Sequence, residues 1–340
     1  MRFSKYKSLF MILSVLTIVS MFVATYTVYG GFEHSITFNG GIRFSVNAPV
    51  GVNKERLEAD LKKGGFPDPN VRLVDVKKNQ YDLEFGPKLQ EQVQKEIEAK
   101  GTTPVKGDGK KGDSKKTQKK PAATDKKNEK SRISEDRSVI GEIEKKLLGA
   151  LPYVKNANIV SREAISASYG GNLTVVAIQS LIFVVIVIGL YLAFRFQLSF
   201  AAGASLALAH DIIMAVGFIG VMRIEPSIPV VAAVLTLIGY SINDTIVIFD
   251  RIRENMEERS SAALDITMDL AITQTLSRTV ITSLLTILAA LALLFGGAVS
   301  LHDFAKVLIF GVLIGTYSSI FIASHFVQYY EKFRARMKSA

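Results

Sequence analysis

Six apolar runs, each about as long as a helix needs to cross a bilayer, limit what this chain can fold into. They lie near residues 8–29, 173–194, 200–221, 228–249, 276–295 and 304–329, and a hydrocarbon core takes about 20 helical residues to cross. Composition agrees, with 49% of the 340 residues hydrophobic and a mean hydropathy of +0.26. Such a chain reads as an α-helical polytopic membrane protein. The 41 Lys and Arg against 31 Asp and Glu do not mark a nucleic-acid binder. Residues 106–137 alone hold twelve basic and six acidic side chains, and the rest is only mildly basic. Cysteine is absent, which removes disulfides, thiolate metal ligands and thiol catalysis, and suits a domain in an oxidising compartment.

The first run is longer than the apolar core of a secretory signal and no A-x-A site follows it, so it is expected to stay as an uncleaved anchor. Basic residues close to span ends mark the cytoplasmic side. With six spans alternating, Arg195, Arg251, Arg253 and the Lys and Arg of both termini fall on one side, against Arg223 and Lys306 opposite. Both termini are therefore expected in the cytoplasm. Residues 1–29 form the N-terminus and first span, 30–172 a domain on the far side, 173–330 a five-helix bundle, and 331–340 a cytoplasmic tail.

The far-side domain reads as α+β. Strand patterns occupy 42–48, 71–76, 80–86 and 153–160, with an amphipathic helix over 52–65 and helical character at 89–100 and 138–150. The order β-α-β-β-α-β predicts a ferredoxin-like module. The Lys-rich stretch at about 101–137 has no periodicity and no aromatic residue. It is expected to be a disordered insertion, either a solvated loop or a contact for anionic headgroups or an acidic partner.

Enzyme chemistry finds little support. The Gly109–Lys110 pair has Pro104 where a phosphate-binding loop needs its first glycine and Lys111 where it needs a hydroxyl. His34, His210, His302 and His325 stand singly, without metal-ligand spacing. No cofactor, metal or catalytic residue is expected.

Polar residues inside the spans say more, because each is costly in lipid and faces a protein interior, a partner charge or water. In "GYSINDTIVIFDRIREN", Asp244 lies six residues before Asp250, about 9 Å inside the boundary at 1.5 Å per residue. Tyr240, Ser241 and Asp244 share a helix face with Leu237 and Ile248, and Asn243 and Thr245 flank the carboxylate. One span later, Gln274, Thr275, Arg278 and Thr282 form a polar stripe that places Arg278 at similar depth. The two charges are expected to meet, as a fixed ion pair or as a titrating proton relay. Asp211, after His210, is a second intramembrane acid that serves either polar packing or the same path. Gly239, and Gly311 with Gly315 in G-x-x-x-G spacing, are candidate helix-packing positions.

The segments "VVAAVLTLIGYSINDTIVIFDRIREN", "TQTLSRTVITS" and "GTYSSIFIAS", in this order, resemble the signature segments of the SecF family of protein-export subunits, in the resistance-nodulation-division (RND) superfamily. The resemblance spans roughly residues 173–330. It implies a multi-pass subunit of the bacterial inner membrane that acts with SecD as a proton-driven auxiliary of the Sec translocon. SecD, the SecYEG channel, YajC and unfolded secretory polypeptide are the implied partners. The resemblance implies that Asp244 and Arg278 fall on the family's functional Asp and Arg. Further upstream the chain departs from the family. Thr37 replaces an acid in "HSITFNGGIRF", which keeps Phe38, Gly40 and Gly41, and "ISASYGGNL" erodes the motif before the second span. An RND-like exporter of a small molecule or lipid, and a scaffold that moves no protons, are the alternatives.

Overall fold

The computed structural model describes residues 3, 7–33, 35–99, 125–165, 167–258 and 264–339. Contacts divide the chain into a helical unit, Met1–Ser35 with Thr174–Ala340, and a mixed unit, Ile36–Leu173.

The first helix, α1 (Lys7–Thr27), belongs to the helical unit, and the mixed unit opens with a single helical turn, α2 (Ile36–Asn39). There follow β1 (Gly41–Asn47), α3 (Lys54–Lys63), β2 (Asn70–Asp75), β3 (Gln80–Phe85), α4 (Pro87–Ala99), α5 (Asp125–Ala150) and β4 (Ile159–Ile165). All pairings are antiparallel and the sheet order is β2-β3-β1-β4, the ferredoxin-like arrangement expected from the element order. Alternation explains it. Ile42, Phe44 and Val46 of β1 lie opposite Phe85, Leu83 and Tyr81 of β3 and bury one face with Leu57, Leu61, Ile143 and Leu147 from the helices. The intervening residues build a polar face. Ser45 donates to Asp82 at 2.6 Å, and Arg43 binds Glu84 at 2.5 Å.

Two expectations in this unit are corrected. The closing strand spans Ile159–Ile165 and shares only its first two residues with the expected 153–160 segment, because the Asn158 side chain accepts from the Lys155 backbone at 3.0 Å and Asn156–Asn158 turn as a 3-10 helix. Asparagine side chains that bond the local backbone compete with strand pairing. Of the Lys-rich stretch expected to be disordered, residues 101–124 lie outside the described residues, whereas 125–137 form the first half of α5. No Pro or Gly interrupts 122–140, and Lys, Glu and Arg are favourable helix residues, so charge alone does not prevent the helix. Arg162 of β4 holds Glu144 of α5 with two hydrogen bonds, at 2.8 and 2.7 Å. That bond keeps the Glu144 carboxyl below the ordinary carboxylate range, against a smaller opposing effect of burial.

In the helical unit α1 is followed by α6 (Ala167–Arg195), α7 (Leu198–Val221), α8 (Ile228–Glu258) and α9 (Leu264–Gly296). The last span is α10 (His302–Ser318), a π-helical turn (Ser319–Ala323) and α11 (Ser324–Ser339). Among the described residues six helices are long and apolar enough to cross a membrane. α9 starts about three turns before the apolar run at 276–295 because Thr267, Met268, Ala271, Ile272 and Thr275 continue a buried stripe that hydropathy alone does not register. Phe249 packs edge to face against Phe196 and Phe200 at one end of the bundle. There Arg195 also binds Asp250 at 2.9 Å.

Candidate functional site in the helical unit

The tight seam between α8 and α10 positions the site. A Cβ on Gly311 would stand 2.9 Å from the Leu237 methyls and one on Gly315 would stand 3.0 Å from the Ser241 Cβ, so both positions require the smallest residue. The seam brings Ser241 of α8 and Ser318 of α10 to Asp211 of α7. Ser241 donates at 2.5 Å and Ser318 at 2.7 Å to Asp211 Oδ2, while Oδ1 lies 2.9 Å from His210 Nδ1. His210 Nε2 in turn meets the Ser14 hydroxyl of α1. Asp211 is completely buried, with 0% of its surface exposed.

Asp244 sits one turn along α8 from Ser241 and is 7% exposed. Thr279 of α9 donates to its Oδ1 at 2.5 Å, and Ser319, at the start of the π-helical turn, donates to its Oδ2 at 2.6 Å. A third polar chain runs alongside, with Tyr240 donating to Ser283 at 2.9 Å and Ser283 meeting Thr316 at 2.7 Å.

Arg278 does not meet Asp244. Its side chain is exposed, and among the described residues no ion pair joins it to the carboxylate, although its charge acts there through space. Successive helical residues point about 100° apart, and it is Thr279 that takes the facing position. The rest of the expected stripe divides. Thr275 is buried, Thr282 is exposed and turns its hydroxyl back to the Arg278 carbonyl at 3.0 Å, and Gln274 accepts from Arg251 at 2.7 Å and Asn255 at 2.9 Å. Asn243 is exposed, Thr245 is buried and caps the Ser241 carbonyl at 3.1 Å, and a Cβ on Gly239 would meet no atom within 4 Å. Among the described residues Gly239 therefore packs against nothing, because it lies with Asn243 on the outward face of α8.

Ser14, Thr279, Ser283, Thr316, Ser318 and Ser319 are the contacts that a reading of charges passes over. Small hydroxyls inside apolar runs were the available signal, most visibly the Ser318–Ser319 pair in "GTYSS". Chemically the site offers two carboxylates held by hydroxyls and one imidazole, a set that can take up and release protons without breaking an ion pair. No group of three His, Asp or Glu among the described residues is placed to hold a metal.

A six-span bundle with buried acids between its central helices, joined to a ferredoxin-like module, defines one half of an RND-type membrane protein. The sequence profile described as "Protein export membrane protein SecD/SecF, C-terminal" matches residues 148–333. The chain belongs to the SecD/SecF protein-export family. It is 47% identical over 163 residues to protein translocase subunit SecF of Vibrio alginolyticus, covering 48% of this chain and 51% of that one. To SecF of Haemophilus influenzae it is 31% identical over 323 residues, covering 94% of this chain and 83% of that one. The crystal structure of SecDF from Thermus thermophilus, described as a translocon-associated membrane protein, aligns with a TM-score of 0.73 at 28% identity. That alignment covers 98% of this chain and 39% of the other. The chain thus spans about half of the Vibrio relative and two fifths of the Thermus one.

Proposed function

We propose that this chain is an auxiliary subunit of the Sec protein-export machinery and that it acts with SecD to couple the proton-motive force to movement and release of polypeptide. The observation that carries the reading is Asp244, a buried carboxylate in a membrane span whose oxygens are held by Thr279 and Ser319 and by no cation in contact among the described residues. A proton taken up there neutralises the acid and turns one of its oxygens into a donor, so that the hydroxyl facing that oxygen must reorient, which changes how α8, α9 and the last span hold one another. One charge moved across the membrane supplies roughly 2.3 kcal/mol per 100 mV, enough to bias such a change.

The outward faces support a partner in the membrane. An arginine exposed in a span cannot remain in hydrocarbon at low cost, and Arg278, Asn243 and Gly239 are all exposed. A second six-span half covers them best, and the Thermus SecDF chain, of which this chain aligns with 39%, supports SecD as that half. The same reading puts the chain in the bacterial inner membrane with both termini cytoplasmic and residues 30–172 periplasmic. SecYEG, YajC and unfolded secretory polypeptide are its further partners, and it is not an enzyme.

Affinity isolation of the tagged full chain from native membranes, with identification of the associated chains, tests this reading. SecD and SecYEG are expected. Recovery of a periplasmic adaptor without them would assign the chain to an exporter instead.

A further inference from the structure

We propose that His210 and Asp211 form a second proton-holding station and that Ser318 and Ser319 couple it to Asp244 as a two-way hydroxyl switch. The proposal rests on the reading of Asp244 as a carboxylate that takes up a proton. Its own observations are separate. Two acids 33 residues apart in sequence are gripped by two consecutive serines, Ser318 on Asp211 at 2.7 Å and Ser319 on Asp244 at 2.6 Å. These serines stand where α10 gives way to the π-helical turn, a backbone form concentrated at functional sites.

Each serine has a second acceptor within reach. Ser318 Oγ lies 3.1 Å from the Gly315 carbonyl and Ser319 Oγ lies 3.0 Å from the Thr316 carbonyl. An ionised carboxylate can only accept, so with both acids charged the hydroxyls point at them. When a proton binds Asp211 Oδ2, that oxygen becomes a donor. Ser318 then turns its hydrogen to the Gly315 carbonyl and accepts from the acid. The equivalent turn at Ser319 loads the next carbonyl along, on the adjoining peptide. Rearranging one serine at the entry to the π-helical turn therefore alters the position of the other. Ser241 adds a second link, because it binds Asp211 from the α8 turn that precedes Asp244.

His210 gives the station its second basic group. Its Nδ1 faces Asp211, and its Nε2 partner, Ser14, donates to a neutral ring or accepts from a protonated one. The groups facing this station can be named. They are Ser14 from α1, Ser241 and, one turn away, Asp244 from α8, and Ser318 with Tyr317 from α10, whose ring centroid lies 6.2 Å from that of His210. Arg278 on α9 acts on Asp244 through space. Among the described residues no Lys or Arg pairs with either acid, and α11, which also packs on α7, sends neither acid a hydrogen bond.

The test is an infrared pH titration of carboxyl bands in the full chain in lipid nanodiscs, with aspartate isotope-labelled and the proton as the only ligand. Wild type is compared with Asp211→Asn, Asp244→Asn and the Ser318→Ala/Ser319→Ala double variant. A band lost in Asp211→Asn is expected to persist in Asp244→Asn with its midpoint displaced by about one pH unit, the signature of coupled sites. The double serine variant is expected to keep both bands, and adding Asp244→Asn to it is expected to leave the Asp211 midpoint undisplaced. An Asp244→Asn chain with no titrating Asp211 band overturns the second station. Midpoints that are identical in wild type and Asp244→Asn, or a displacement that survives without the serines, overturn the switch. If Asp211→Asn does not fold, Asp211→Glu, which removes the labelled aspartate and keeps a carboxyl, assigns the band instead. A silent Asp244 beside a titrating Asp211 would instead remove the reading of Asp244 and leave the second station standing.

Discussion

At Asp244 both carboxylate oxygens are occupied by hydroxyls, from Thr279 at 2.5 Å and Ser319 at 2.6 Å, while Arg278, next to Thr279 in sequence, contributes only its field. Hydrogen bonds to charged groups contribute about 1.5–3 kcal/mol each. Thr279→Val is therefore expected to destabilise the chain by roughly that amount, read as a lowered thermal midpoint in detergent. Arg278→Ala, which removes no ion pair among the described residues, is expected to stay within about 0.5 kcal/mol. Equal losses in the two variants would mean that Arg278 reaches the carboxylate in solution. A residue-scale prediction for the mixed unit follows from Arg162 and Glu144. The folded-state pKa of Glu144 lies below its ordinary value, so the stability it adds is present above that ordinary value and drains away as pH falls through the folded one. Hydrogen exchange of the β4 amides is expected to quicken about two- to fivefold in Glu144→Gln at neutral pH, as for a bond worth roughly 0.5–1 kcal/mol. The variant and wild type should converge in acid. Asp244, Asp211 and Arg278 could all be picked from the chain because charge in an apolar run is conspicuous. Of the hydroxyls that contact the acids, Ser241 stood out through the face it shares with Asp244, whereas Thr279, Ser318 and Ser319 did not, since a hydroxyl inside a helix usually bonds its own backbone, as Thr282 does.

Among the elements, the α8–α10 seam decides whether the acids share hydroxyls at all. Gly315→Val sets a branched side chain where a Cβ alone would already stand 3.0 Å from the Ser241 Cβ. Overpacking of this kind costs about 1–3 kcal/mol, and here it also draws Ser241 and Ser318 away from Asp211. A lowered thermal midpoint together with loss of the Asp211 infrared band is the expected pair of results; an unchanged band would show that the seam does not position the site. The G-x-x-x-G spacing pointed to this contact from sequence, whereas Gly239 has the same composition signal and packs against nothing among the described residues. Only the identity of the facing residue separates them. The strands β1 and β3 were legible because apolar and polar residues alternate strictly, and β2 because its apolar residues Val71, Leu73 and Val74 still read as a strand. β4 was displaced because Tyr153 and Val154 look strand-like although Asn158 turns the chain first. The π-helical turn left no periodic trace, being an offset of a single residue within a continuous apolar helix.

For the whole molecule, the division into six spans and a ferredoxin-like module follows from two signals that survive without any alignment, apolar length and period-two alternation. What lies outside one chain does not follow from either. The exposed Arg278, Asn243 and Gly239 point to a second membrane half, and they make sense of a site whose nearby positive charge pairs with neither acid among the described residues. Everything proposed for export turns on whether Asp244 carries the driving proton. Potential-dependent release of a secretory polypeptide reads this directly, in membranes that carry the chain with its native partners, comparing wild type with Asp244→Asn at matched insertion and assembly. Asp244→Asn is expected to abolish the acceleration by the proton-motive force and to leave the release seen without a membrane potential unchanged. Acceleration equal to wild type would contradict a proton-carrying Asp244.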